Sequence, residues 1–247
     1  MIPKTIHFCW ISGDPYPPII DKCISSWKLV LPDYEFVLWD RAKVDLIKST
    51  WLEQTIASKK YAFAADFIRI YALLNFGGIY LDADVELLSS FNPFLHNDMF
   101  IGLEYNNDLE PAIFGAIAGH PWLTDLLGYY QNRSFLKKDG TQDMRPLPTI
   151  FNELASRRFG FKANGEIQLA TNDGIAIYPC DYFSPKNIYF EQINTTSKTV
   201  AIHHFDGSWV KKNGKYKLKK VFHQLLYRLG GKSFHTKFIR IFREIYR

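Results

Sequence analysis

The chain has 247 residues, 47% hydrophobic and 22% charged, the balance of one large globular domain or two small ones, which excludes a disordered, collagen-like or disulfide-stapled chain. Its net charge of +5 conceals an asymmetry: residues 211–247 hold 12 Lys/Arg and one acid, Glu244, whereas residues 1–210 hold 18 Lys/Arg and 24 Asp/Glu. No apolar run reaches the roughly 18–20 residues of a membrane span, no signal-peptide pattern precedes the first strand, and three widely spaced cysteines (Cys9, Cys23, Cys180) argue against a disulfide framework or zinc knuckle, so a cytoplasmic location is expected.

Residues 2–11 read as a buried strand, followed by a turn-rich loop from Ser12 to Pro18. Ile20, Ile24 and Trp27 predict a helix over 19–30, stopped by Pro32. A strand over 34–39 and a helix over 43–57 follow. The clearest helix is 60–76, where Phe63, Phe67, Ile70, Leu73 and Leu74 form an apolar stripe ended by Gly77-Gly78. A short strand, 79–81, runs into Asp82-Ala83-Asp84. Further strands are expected at 99–103, 112–118, 175–178 and 199–204, and helices at 122–131 and 148–158. The alternation implies an α/β layer fold with a mostly parallel sheet. The charge reversal divides the chain into a domain of residues 1–210 and a basic tail of residues 211–247.

Two carboxylates on alternate residues at a strand end, Asp82 and Asp84, offer hard oxygen ligands to Mg²⁺ or Mn²⁺. Such an ion can stabilise a nucleotide diphosphate as it leaves. The acids emerge from the apolar run Gly77-Gly78-Ile79-Tyr80-Leu81, and ligands of open α/β sheets bind beyond the carboxyl ends of strands. One helix earlier, Asp66 and Arg69 share a helix face. Alone they read equally as a local ion pair; beside a metal site they suit sugar hydroxyls and a phosphate.

Four ordered blocks carry a family resemblance: Ile2 to Gly13 (IPKTIHFCWISG), Ala64 to Leu73 (AADFIRIYAL), Gly77 to Val85 (GGIYLDADV) and Ile202 to Trp209 (IHHFDGSW). On these, the chain resembles the Asp-x-Asp sugar-nucleotide glycosyltransferases of family 32, which include capsule and lipopolysaccharide enzymes and yeast initiating mannosyltransferases. More distantly it is similar to the glucosyltransferase domains of large clostridial toxins. The resemblance implies a GT-A fold, a Rossmann-like sheet that binds a nucleotide sugar, and a retaining transfer that requires Mn²⁺ or Mg²⁺. It implies that Trp10 stacks on the nucleobase, that Asp66 and Arg69 hold the donor sugar and its phosphate, and that Tyr80 lines the donor pocket. Asp82 would contact sugar or ribose, directly or through metal-bound water, and Asp84 would ligate the metal. His204 is preferred to His203 as the late metal ligand because its His-x-x-Gly run is similar to that of other retaining GT-A enzymes; strand alternation by itself says only that one of the two can face the site. Ser208 and Trp209 would close over the diphosphate. Two departures are Ala65, where a serine is usual, and the Leu147-to-Ile150 stretch, which lacks a Thr-Gly-Pro triplet; the second touches acceptor-side geometry, for which Glu104, Asn106 and Asn107 are candidates.

The tail predicts two amphipathic helices with basic polar faces, suited to an anionic membrane interface or to packing on the domain. Nucleic acid is not expected, because no recognition motif accompanies the charge. The reading is a hexosyltransferase of bacterial capsule, lipopolysaccharide or exopolysaccharide assembly, peripheral on the inner face of the plasma membrane. Its expected donor is a UDP-sugar, with GDP-mannose second, and its expected acceptor an oligosaccharide or lipid-linked glycan. The alternatives are a toxin-like enzyme acting on a protein and a non-catalytic nucleotide-sugar or membrane-binding module.

Overall fold

The computed structural model describes residues 1–162, 164–207 and 214–245. β1 (Thr5–Cys9) leads into α1 (Pro18–Val30), β2 (Glu35–Trp39), the short α2 (Arg41–Val44), α3 (Thr50–Ala57), α4 (Tyr61–Phe76), β3 (Gly78–Leu81) and β4 (Val85–Leu87). Then come β5 (Met99–Leu103), β6 (Leu109–Ala116), α5 (Pro121–Gly128), α6 (Leu147–Phe159), β7 (Gln168–Ala170), β8 (Ile175–Tyr178), α7 (Cys180–Phe183), β9 (Lys186–Asn187), β10 (Gln192–Ile193), β11 (Ala201–His203) and α8 (Gly214–Ile245).

Seven strands form the central sheet in the order β2-β1-β3-β6-β5-β8-β7. The α/β class is as expected, but the sheet is mixed rather than mostly parallel. β1 pairs in parallel with β2 and β3, and β5 with β8; β3–β6, β5–β6 and β7–β8 are antiparallel. The cause is local: residues 104–108 are too few to cross over the sheet, so β5 and β6 form a hairpin.

Alternation along the strands divides the core between the two faces. Ile79, Leu81, Phe100 and Ile113 pack with Trp27 and Phe183 on the α1 side. Tyr80, Ile101 and Phe114 pack with Trp51, Ile68, Trp122 and Phe151 on the face covered by α3 to α6. Gly77 (φ 66°) ends α4, and Gly78 (φ 104°) starts β3 so close to β1 that a Cβ there would lie 2.6 Å from the Thr5 carbonyl. This approach sets Trp10, just past β1, beside the end of β3, since the two strands are parallel neighbours.

The helix expected over 43–57 is two helices, because two polar side chains each cap a start. Asp40 accepts from the Lys43 N–H at 3.0 Å and Ser49 from the Leu52 N–H at 3.4 Å. In the tail, α8 is interrupted at Gly231 (φ 69°). One side packs: Gln224 donates to the Tyr189 carbonyl (3.1 Å), and His223 lies against the Tyr189 ring and 3.1 Å from His235. The opposite side leaves Val221, Phe222, Leu225, Leu229 and Phe234 exposed. The expected boundary at residues 210 and 211 lies outside the described residues.

Candidate active site

Asp82 follows β3 and Asp84 precedes β4, so the chain turns between two strands with both carboxylates at the carboxyl end of β3. β4 pairs with β11 in a register that sets His203 opposite Val85, which brings His203 Nε2 to 3.3 Å from Asp84 Oδ1. A turn with positive φ at Phe205 (50°) and Gly207 (54°) follows β11, and within it the Asp206 N–H donates to Asp84 Oδ2 at 2.8 Å. Ligand atoms of Asp82, Asp84 and His203 all lie within 4.8 Å of one another. Carboxylate oxygens with one imidazole suit Mn²⁺ or Mg²⁺, the first somewhat better.

The structure corrects the preferred histidine. His204 points to another partner, its Nε2 2.8 Å from Glu86 Oε2, which also holds Lys22 at 2.8 Å. The alternation argument is right that only one of the pair faces the acids; the β4–β11 register decides that it is His203.

Arg69 lies among carboxylates. It is 6% exposed and already engaged on every side. Its Nη2 lies 3.1 Å from both Asp66 and Asp82. Nη1 donates to the Pro111 carbonyl (2.7 Å) and to Asp82 (3.3 Å), and Nε donates to the Ala65 carbonyl (3.4 Å). The Tyr80 ring lies beneath the guanidinium, 4.7 Å away. In this arrangement Arg69 bridges two carboxylates, Asp66 and Asp82. Tyr80, itself buried, reaches the site through its hydroxyl, which donates to Asp82 at 3.1 Å.

The charges divide the acids into two kinds. Asp84 sits at about 2 although burial pushes it up, because His203 and the Asp206 N–H outweigh that push. Burial raises Asp66 to about 7, with Arg69 pulling it down and Asp82 pushing it up. Asp82 is raised too, by burial first and by Asp84 and Glu110 after it, against the pull of Arg69 and His203. Burial pulls His203 down, but Asp84 and Glu110 carry it well above its ordinary value.

Of the other expected residues, Trp10 stands at the carboxyl end of β1, donating to the Asp14 carbonyl at 2.7 Å with its ring edge-on to Tyr16. Ser208 and Trp209 lie outside the described residues. The sequence reading missed Glu110, which reaches His203 from the opposite side to Asp84; a Glu before a proline in an apolar stretch gave no signal of a site.

Residues 17–101 match the family model described as the glycosyltransferase sugar-binding region containing DXD motif. The matched segment holds Asp66, Arg69, Tyr80, Asp82 and Asp84. An inositol phosphoceramide mannosyltransferase of Schizosaccharomyces pombe is 31% identical over 133 residues, 51% of this chain and 36% of that one. A mannosyl phosphorylinositol ceramide synthase of Saccharomyces cerevisiae is 28% identical over 222 residues, 85% of this chain and 55% of that one. The chain thus spans between about a third and just over half of these fungal relatives' lengths. Among solved structures, the PaToxG glycosyltransferase is similar over 63% of this chain and 68% of its own, at 20% identity and a TM-score of 0.49.

Proposed function

We propose that this chain is a metal-dependent glycosyltransferase of GT-A type that moves a hexosyl unit, with retention, from a nucleotide sugar to a hydroxyl of a glycan acceptor. The observation that carries the reading is the convergence of Asp82, Asp84 and His203 beyond the carboxyl end of β3, with the two acids inside a glycosyltransferase sugar-binding segment and His203 brought to them by the β4–β11 pairing. A divalent metal held by these three residues would supply positive charge to the departing diphosphate. The other groups are this chain's own. Asp84 stays ionised as an anchor. Asp66, raised to about 7 by burial, is poised between its two protonation states near pH 7 and so can donate to or accept from sugar hydroxyls. Arg69 and Tyr80 fix the orientation of Asp82, and Trp10 offers an indole face to a base.

The fungal relatives are named for mannosyl transfer, which supports a mannose donor, GDP-mannose, ahead of the UDP-sugars in this reading. Their names also specify an inositol-phosphate ceramide acceptor, a sphingolipid rather than a bacterial capsule or lipopolysaccharide glycan, which supports a hydroxyl of a lipid-borne headgroup as the acceptor here. The tail supports action at an anionic membrane surface: the apolar side of α8 is exposed and residues 211–247 carry 12 cations against one acid. Vesicle sedimentation tests that placement. Binding to anionic vesicles that is lost in high salt supports it, and equal binding to zwitterionic vesicles, or none to either, contradicts it.

The catalytic reading is tested by offering GDP-mannose, UDP-glucose, UDP-galactose, UDP-GlcNAc and UDP-GalNAc with Mn²⁺ or with EDTA. Hydrolysis of one donor only when metal is present supports it. No hydrolysis and no binding of any donor overturns it.

A further inference from the structure

We infer that Glu110 is a positioning residue that fixes how His203 meets the metal. The inference rests on the reading that Asp82, Asp84 and His203 form a metal site, and adds a residue outside that set. Glu110 is 5% exposed. Its Oε1 accepts the Ala112 N–H at 3.0 Å, which ties the carboxylate to its own strand. Its Oε2 lies 3.6 Å from His203 Nδ1, in ion-pair range, and that buried nitrogen has no hydrogen-bond partner. On the other side of the ring, Nε2 faces Asp84 at 3.3 Å.

An imidazole that ligates through Nε2 carries its proton on Nδ1, and the group facing Nδ1 sets both tautomer and ring angle. Glu110 is that group. A nearly buried carboxylate is costly to keep unless a polar group meets it, and the His203 ring, with Nδ1 turned toward Oε2, is placed against it. The Phe205 ring, 3.8 Å from the His203 ring between centroids, packs against it and limits its rotation.

The experiment is titration of the full chain with Mn²⁺ alone, following the electron paramagnetic resonance signal of the free ion. The variants are Glu110→Gln, His203→Ala, the Glu110→Gln/His203→Ala pair, His204→Ala and Asp84→Asn, with thermal midpoints measured in EDTA. Glu110→Gln keeps an acceptor for Ala112 but turns an amide toward Nδ1. It is expected to weaken Mn²⁺ about 10–100-fold with a midpoint close to that of the unaltered chain. The double variant is expected to bind no more weakly than His203→Ala, because Glu110 acts through that ring. His204→Ala is expected to leave Mn²⁺ binding unchanged. Unaltered Mn²⁺ affinity in Glu110→Gln, or a loss that adds in full to that of His203→Ala, overturns the inference while Asp84→Asn still abolishes binding. Retention of Mn²⁺ by Asp84→Asn overturns the metal-site reading itself.

Discussion

Arg69 carries its charge between two carboxylates, Asp66 and Asp82, each 3.1 Å from the same nitrogen. Without it, those acids would face each other in a largely enclosed site, where like charges are poorly screened. Removing one partner from a buried ion pair costs about 3–5 kcal/mol, so Arg69→Met is expected to lower the urea midpoint sharply. Arg69→Lys keeps the charge but loses the planar fork that bridges both acids. It is expected to destabilise the fold and lower turnover while donor KM changes only a few-fold. A tenfold rise in donor KM at unchanged stability would instead make Arg69 a direct phosphate ligand. The same scale shows why the acid pair was legible and its partners less so. Asp82 and Asp84 are two residues apart at a strand end, a pattern a sequence displays. The choice between His203 and His204 depends on the pairing of β11 with the distant β4, which sets His203 opposite Val85, and Glu110 on a third strand altogether.

At the scale of elements, two buried histidines tie strands and helices together in their neutral form. His7 Nε2 donates to the Gly77 carbonyl (2.9 Å) while Nδ1 accepts from Trp39 (3.2 Å), which joins β1, β2 and the end of α4. His120 Nε2 donates to the Asp173 carbonyl (2.8 Å) while Nδ1 accepts the Trp122 N–H (3.3 Å) and so caps α5. A second proton would land on a nitrogen already used as an acceptor, and burial lowers both pKa values. Unfolded histidine titrates near pH 6.5. Their share of stability is therefore present above about pH 6.5 and is lost progressively as pH falls below it, because there the unfolded chain binds the protons that the fold refuses. Asp66 and His203, both raised, contribute in the opposite sense, so the measurement is a difference. The gap in urea midpoint between the unaltered chain and His7→Gln/His120→Gln is expected to shrink from pH 7.5 to 5.5. A gap that does not vary with pH contradicts this.

Element boundaries followed the strength of their local signals. The stripe of α4 and the Gly77-Gly78 stop read directly, because glycine there serves both a positive φ and a close strand approach. The break between α2 and α3 was missed because the capping roles of Asp40 and Ser49 compete with a continuous apolar period. The strand expected from residue 112 begins at Leu109. Glu110 and Pro111 read as loop, yet the register between β5 and β6 shifts at Ile101 and Gly102, and an irregular stretch of that kind tolerates a proline.

At the scale of the molecule, the net charge of +5 is the remainder of an acidic body and a strongly basic tail. The body sets Asp66, Asp82, Asp84 and Glu110 together at the strand ends that the active-site reading uses, and α8 packs one side while exposing apolar side chains on the other. The α/β layering was legible because strands and helices alternate along the chain. The mixed strand directions were not, because a five-residue hairpin connection leaves no mark on hydrophobic periodicity. The central claim is that these strand ends form a metal-dependent donor site, and the most direct test is turnover of the preferred donor titrated against Mn²⁺ in the unaltered chain and in Asp84→Asn. The account predicts turnover that saturates with Mn²⁺, vanishes in EDTA and falls by at least about a hundredfold in the variant, a loss equivalent to roughly 2.7 kcal/mol of transition-state stabilisation. Equal turnover by Asp84→Asn, or turnover unchanged in EDTA, would contradict it.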